Sequence, residues 1–198
     1  MLLNPYVAHS ETGHVMDIFS LNLENRNIFL TGEITPELAT SVISQLLYAD
    51  AVTKENDASI RLYINSPGGS VSDGLAILDT MQNLKHPVET ICTGMAASMA
   101  AVILAGGQKG KRKILLHSET MIHQPLSGMQ GQATDLMIAA DHVIKIREVI
   151  NGILAEETGK SAEVINAATE RDHWLSAIEA KNFGLVDIII TKEDLYHE

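Results

Sequence analysis

Gly94-Met95-Ala96-Ala97-Ser98-Met99-Ala100-Ala101, continued by Val102-Ile103-Leu104-Ala105-Gly106-Gly107, is the stretch whose reading decides the fold. Small residues at the head of an apolar helix let backbone pack against backbone, and a helix that is apolar all round belongs in the interior. The stretch places one hydroxyl, Ser98, near the positive end of that helix, where unpaired amides and the helix dipole favour developing negative charge. That is a seat for a nucleophile whose attack creates an oxyanion. A serine packed in a small-residue core is the competing reading. The Gly-x-Ser-x-Gly elbow of α/β-hydrolases is absent, because Ala96 and Ala100 flank Ser98.

Outward from this stretch, strands and helices alternate. Asn27 to Gly32 reads as a short buried strand, and Thr35-Pro36-Glu37 combines an N-cap, a first-turn proline and an acid at the start of a helix reaching about Ala51. Ile60 to Ile64 is a second strand, ended by the loop Asn65-Ser66-Pro67-Gly68-Gly69-Ser70. Ser72 then caps a helix through Lys85, His86-Pro87 breaks it, and Val88 to Cys92 forms a third strand. This order predicts an α/β fold with a mostly parallel sheet and crossover helices. Loops at the carboxyl ends of such strands carry the chemistry, so the Gly68-Gly69 loop and Gly94 to Ser98 are expected to meet at one sheet edge.

Downstream, Lys113 to Leu116 and Thr120 to His123 read as short strands. A long helix follows from Gln132 or Asp135 to Glu157, with Leu136, Ala140, Val143, Ile146, Ile150 and Ile153 near one face and Met137, Ile144 and Leu154 widening it. So broad an apolar stripe points to a subunit interface. Gly159 ends that helix, Ser161 and Ser176 cap two shorter ones, and Gly184 leads into the strand Asp187 to Ile190. Residues 1 to 20 lack a sustained period and read as a flexible arm; residues 21 to 198 read as one domain, without repeat or linker.

With 198 residues, 45% of them apolar, the chain can bury a sizeable core. Four Tyr, three Phe and one Trp leave that core to aliphatic, Ala and Met side chains. A net charge of -11 argues against a nucleic-acid partner, and the basic cluster Lys109 to Lys113 is too short to change that. The single cysteine, Cys92, has no internal disulfide partner, and the start lacks a basic segment followed by an apolar one. No stretch has the roughly 18 apolar residues of a membrane span. The reading is a cytoplasmic chain with no membrane association.

A serine nucleophile needs a base within reach, and the base needs an orienting acceptor. His123 is the best placed of eight histidines, at the end of the apolar strand in Met121-Ile122-His123-Gln124-Pro125. His9, His14 and His197 lie near the ends of the chain, His86 precedes a proline, and His142 lies within the long helix. Spacing leaves the acid open among Asp135, Asp141, Asp172 and Asp187. Gly106 to Lys111 imitates a phosphate-binding loop, but its spacer is one residue short and Arg112 stands where Ser or Thr is required. No Cys or His pair has zinc spacing, and scattered acids argue against a carboxylate dyad. No metal or cofactor is expected.

Taken together, Tyr63-Ile64-Asn65-Ser66-Pro67-Gly68-Gly69, Gly94 to Met99, Met121 to Pro125, Gly131-Gln132-Ala133-Thr134-Asp135 and Glu170-Arg171-Asp172 make the chain resemble the proteolytic subunits of the Clp protease over residues 17 to 192. The resemblance implies a ClpP/crotonase-like fold with a protruding handle helix over residues 125 to 158 and an axial loop over residues 1 to 20. It implies a serine endopeptidase with Ser98, His123 and Asp172 as catalytic triad and the backbone N–H groups of Gly69 and Met99 as oxyanion hole. It further implies two stacked heptameric rings joined near Gly128, Gly131 and Gln132, Arg171 tying ring contact to the triad, and an AAA+ unfoldase that uses the ATP and delivers unfolded polypeptides.

Several positions depart from the pattern: Ala100 replaces a common glycine, the arm Ala8 to Met16 lacks the family's usual basic-glycine pattern, and two cleft residues differ. The family usually carries aromatic residues where Arg61 and Lys113 stand, in the cleft where the ATPase docks, and cations weaken an apolar anchor by desolvation. This implies a divergent second isoform that works in mixed rings with a companion subunit. Two other functions compete: a structural ring member of low activity, and a crotonase-like acyl-CoA enzyme, which has no need of Ser98, His123 and Asp172 together.

Overall fold

A computed structural model describes residues 5–8, 13, 15–54, 58–128 and 130–191. The architecture is α/β, with five parallel strands in sequence across the main sheet. These are β3 (Asn27–Thr31), β4 (Ile60–Ser66), β5 (Val88–Ala97), β6 (Lys113–Leu115) and β9 (Ile188–Ile190), in that order. Helices α2 (Pro36–Val52) and α3 (Val71–Gln82) make the crossovers between the first three. The first forms where expected: Thr35 caps α2 with Pro36 at its start, and Ile28, Leu30, Ile60, Leu62 and Ile64 are buried on the neighbouring strands. All seven residues of α4 (Met99–Ala105) are buried, as a helix without a polar face requires.

The sheet forks at β5. Its first half, at Ile91 and Cys92, pairs with β6, whereas Met95 to Ala97 pair with β7 (Glu119–Ile122). A strand absent from the sequence reading, β8 (His173–Ser176), pairs antiparallel with β7. Four residues with one buried side chain offer no alternation to detect. Two more short strands, β1 (Tyr6–Ala8) and β2 (Val15–Asp17), pair as a hairpin, and Asp17 caps α1 (Ile18–Glu24). These elements fall largely within the span read from sequence as an arm without a period.

Two boundaries differ from expectation. Ser70 rather than Ser72 caps α3, accepting from the Asp73 N–H, and the helix stops at Gln82 rather than Lys85. Asp50 Oδ1 accepts the N–H groups of both Lys85 and His86 at 3.0 Å, which draws that turn out of the helix. Gly94 to Ala97 do not open a helix either. Ladder pairing to β7 keeps them extended, and α4 begins only after Ser98. Long helix α5 (Ala133–Thr158) ends at Gly159 in the left-handed conformation, as the glycine predicts. It is followed by α6 (Ala162–Ala168) and α7 (Ala177–Phe183). Only Ile150, Asn151 and Leu154 of α5 are buried, while Met137 is 70% and Ile138 64% exposed.

The basic cluster is consumed by the fold. Arg112 is buried and donates to Asp187 through Nε at 2.9 Å and Nη2 at 2.6 Å, to Ala105 O and to Glu157 O. Burial pushes the Asp187 carboxyl up, but hydrogen bonds from the Arg112 side chain and backbone, with its charge, outweigh this and leave it below the usual carboxylate range. The amides of Gly106, Gly107, Gln108, Gly110 and Lys111 all have protein acceptors, so the Gly106 to Lys111 loop offers no cradle for phosphate. Arg112→Ala is expected to destabilise the fold by about 3 kcal/mol, because it leaves Asp187 without its buried partner. The contribution of the pair is complete above about pH 4, the unfolded carboxylate value, and is lost as pH falls through the lower folded value. Urea denaturation from pH 7 to 3 should therefore show a steeper acid loss in the parent than in Asp187→Asn.

Candidate active site

Strand register brings three side chains to one edge of the sheet. Ala97 of β5 pairs with Met121 of β7, and the Ser98 N–H donates to Met121 O at 2.8 Å, so Ser98 and His123 leave adjacent parallel strands side by side. Ile122 pairs with His173 across the antiparallel β7–β8 ladder, which sets His123 opposite Asp172. The side chains meet. Ser98 Oγ lies 2.8 Å from His123 Nε2, and His123 Nδ1 lies 2.9 Å from Asp172 Oδ1. The imidazole is largely covered at 12% exposure, whereas the carboxylate is 63% exposed.

Ser98 is reached by a sharp change of direction. Its φ of 55° is in the left-handed region, uncommon for a residue with a Cβ, and it turns the chain from β5 into α4. That turn presses against the Gly68-Gly69 loop. A Cβ at Gly68 would lie 2.7 Å from both Ala97 O and Ser98 Cβ, and one at Gly69 would lie 2.4 Å from Ile34 O. Both glycines have positive φ, so two requirements, space and conformation, demand glycine here.

Two amides close to this contact stand outside its backbone hydrogen bonds. Ile34 N donates to Gly68 O and Ser70 N donates to Ile34 O, so the intervening N–H of Gly69 points away from that bridge. Met99 N is the first amide of α4 and has no intrahelical acceptor. Among the described residues neither amide has a protein acceptor. Val71, Val102, Ile122, Pro125, Ile150 and Leu154 close a small apolar recess beside Ser98 and His123.

The other candidates go elsewhere. Asp187 is taken by Arg112, Asp141 is exposed on α5, and Asp135 stands exposed in its first turn. His86 Nδ1 lies 2.8 Å from Asp50 Oδ1 at the end of α3, and His142 is exposed on α5. His9, His14 and His197 lie outside the described residues. Cys92 is buried in β5, and burial raises its thiol pKa. Among the described residues no three His, Cys, Asp or Glu come together to hold a metal, and no helix is long and apolar enough to cross a membrane. The sequence reading missed the residues that hold the Asp172 segment, because β8 and the turn before it carry no periodic signal.

A hydroxyl, an imidazole and a carboxylate in line, with two unpartnered amides beside the hydroxyl, is an arrangement able to perform acyl transfer. The family model for Clp protease matches residues 9–193 of this chain. The chain belongs to the Clp protease family, and its class is that of a Clp-type peptidase. Gly68→Ala forces apart the two loops that touch at Ser98. We expect a fall of at least about a hundredfold, the scale of one lost oxyanion donor, in the labelling rate of Ser98 by a fluorophosphonate, with an unchanged circular dichroism spectrum.

Proposed function

We propose that the chain is the proteolytic subunit of an ATP-dependent Clp protease, a serine endopeptidase hydrolysing unfolded polypeptides inside a barrel of two heptameric rings fed by an AAA+ unfoldase. The observation that carries this reading is the continuous Ser98–His123–Asp172 contact. Asp172 accepts a hydrogen bond from Nδ1–H and so holds the tautomer in which Nε2 is free to act as base. His123 Nε2 takes the Ser98 proton as Oγ attacks the peptide carbonyl, and the amides of Gly69 and Met99 receive the oxyanion. His123 then returns the proton to the leaving amine, and water, activated by the same imidazole, releases the acyl group from Ser98. The apolar recess at Val71, Val102 and Ile122 offers a place for the side chain preceding the cleaved bond. No cofactor takes part; ATP is used by the unfoldase. The compartment fitting this role is the cytoplasm.

Barrel assembly gives the exposed apolar side chains of α5, Met137, Ile138 and Ile144 among them, a surface to bury. Purified protein run on a sizing column while a short fluorogenic peptide is assayed tests chemistry and assembly together. We expect peptide cleavage in a fraction far larger than a 198-residue monomer, and a loss of roughly a millionfold in turnover in Ser98→Ala or His123→Ala, as for other triads. Full assembly without cleavage in the parent favours the structural ring member instead. Absence of fluorophosphonate labelling favours a crotonase-like enzyme.

The subunit is further proposed to act in mixed rings. Arg61 donates to Asn27 Oδ1 at 3.1 Å, and Lys113 pairs with Glu89 at 2.5 Å, so polar and charged groups occupy neighbouring positions of β3 to β6. An apolar docking segment would have to desolvate them. Homomeric barrels should therefore degrade folded substrates poorly with the ATPase, and Arg61→Tyr with Lys113→Phe should raise that rate. Strong degradation by the parent homomer, unchanged by the double substitution, contradicts the mixed-ring reading.

A further inference from the structure

Asp172 is held at the site by little of its own. Its carboxylate is mostly exposed, and among the described residues His123 is its one hydrogen-bond partner. Its position must come from the backbone that carries it. Three residues upstream, Thr169 is fully buried, a setting in which a hydroxyl needs a partner. Its Oγ1 lies 2.9 Å from Ile165 O and 3.3 Å from Oδ1 of Asn151, itself buried in α5, and Asn151 Nδ2 donates to Asn166 Oδ1 at 2.7 Å. One turn earlier on α5, Arg147 Nη2 donates to Glu170 Oε2 at 3.1 Å. The same face of α5 therefore grips two consecutive residues of the segment that leads to Asp172.

That segment also grips the base. Gln124, next to His123, donates its backbone N–H to Thr169 O at 2.6 Å and its side-chain amide to Glu170 O at 3.0 Å. The chain positions carrying imidazole and carboxylate are thus tied to each other through Gln124, and both to α5 through Thr169 and Asn151. We infer that Thr169 and Asn151 are positioning residues of the peptidase: their buried hydrogen bonds fix the Asp172 segment to α5 and so set the Asp172–His123 contact. The inference rests on the triad reading above. It also makes α5 more than a surface for assembly, since a shift at Asn151 is transmitted to the acid. Buried networks of this kind rigidify what they connect and are measured cleanly only by double-mutant cycles.

Thr169→Val keeps the side-chain shape and removes the hydroxyl. In the otherwise unchanged chain, kcat for a short fluorogenic peptide should fall by roughly tenfold, within the range of couplings between neighbouring groups, with KM unchanged because Thr169 does not line the recess. Thr169→Ser should restore kcat. In an Asp172→Asn background, Thr169→Val should change kcat by less than about twofold, since the group it positions has already been disabled. Asn151→Leu runs the same cycle independently, leaving Thr169 bonded to Ile165 O and Asn166 to solvent. It keeps the test open if Thr169→Val fails to fold. An equal fall in both backgrounds makes the network merely structural and overturns the inference, as does the absence of any fall in folded Thr169→Val and Asn151→Leu. If Asp172→Asn alone leaves kcat unchanged, the triad reading is what fails.

Discussion

The close approach of two backbones governs this molecule. Ser98 adopts a positive φ between a strand and a buried helix; Gly68, lacking a Cβ, lets the neighbouring loop lie against it, and Gly69 lets the same loop lie against Ile34. The Gly69 amide on that loop and the first amide of α4 are both left without a protein acceptor among the described residues. A strand that turns sharply into a helix presents the Ser98 hydroxyl at the sheet edge, and here that is achieved without the Gly-x-Ser-x-Gly sequence. Ala96 and Ala100 are small enough to be buried on either side, while the glycine requirement falls on the facing loop.

The second constraint is register. Once Ala97 pairs with Met121 and Ile122 with His173, the serine, imidazole and carboxylate are neighbours regardless of their separation along the chain. Much of this was legible in the residues. Strands β3 to β5, the capped α2, the two converging loops and His123 at a strand end all follow from apolar runs, glycines and caps. The acid was not legible from spacing, since Asp135, Asp141, Asp172 and Asp187 were equivalent until β8 was known. Family resemblance pointed to Asp172; in the fold, pairing of β8 beside β7 brings that carboxylate to His123, while Asp187 goes to Arg112. The helix expected at Gly94 was misplaced for a related reason: small residues suit either a packed helix or a strand, and ladder pairing with β7 decides for the strand.

Charge in this chain serves structure more than recognition. Lys109, Lys111, Arg112 and Lys113 are bonded to Glu156 O, Ser59, Asp187 and Glu89, so a cluster that looks in sequence like an anion-binding patch is spread over four separate contacts. Apolar surface shows the opposite pattern. Helix α5 anchors itself through Ile150, Asn151 and Leu154 and leaves several large side chains uncovered along its first half. Its buried end is also the end that bonds to the segment bearing Asp172, so the exposed apolar face and the hold on that segment share one helix.

The central claim is that Ser98 attacks a carbonyl whose oxygen is received by the amides of Gly69 and Met99. A crystal structure of the assembled protein with a peptide boronate tests it most directly. The account predicts a covalent bond from Ser98 Oγ to a tetrahedral boron, with one boronate oxygen within about 3 Å of both amide nitrogens. A boronate bound elsewhere, or bonded to Ser98 with its oxygens turned away from Gly69 and Met99, would contradict it.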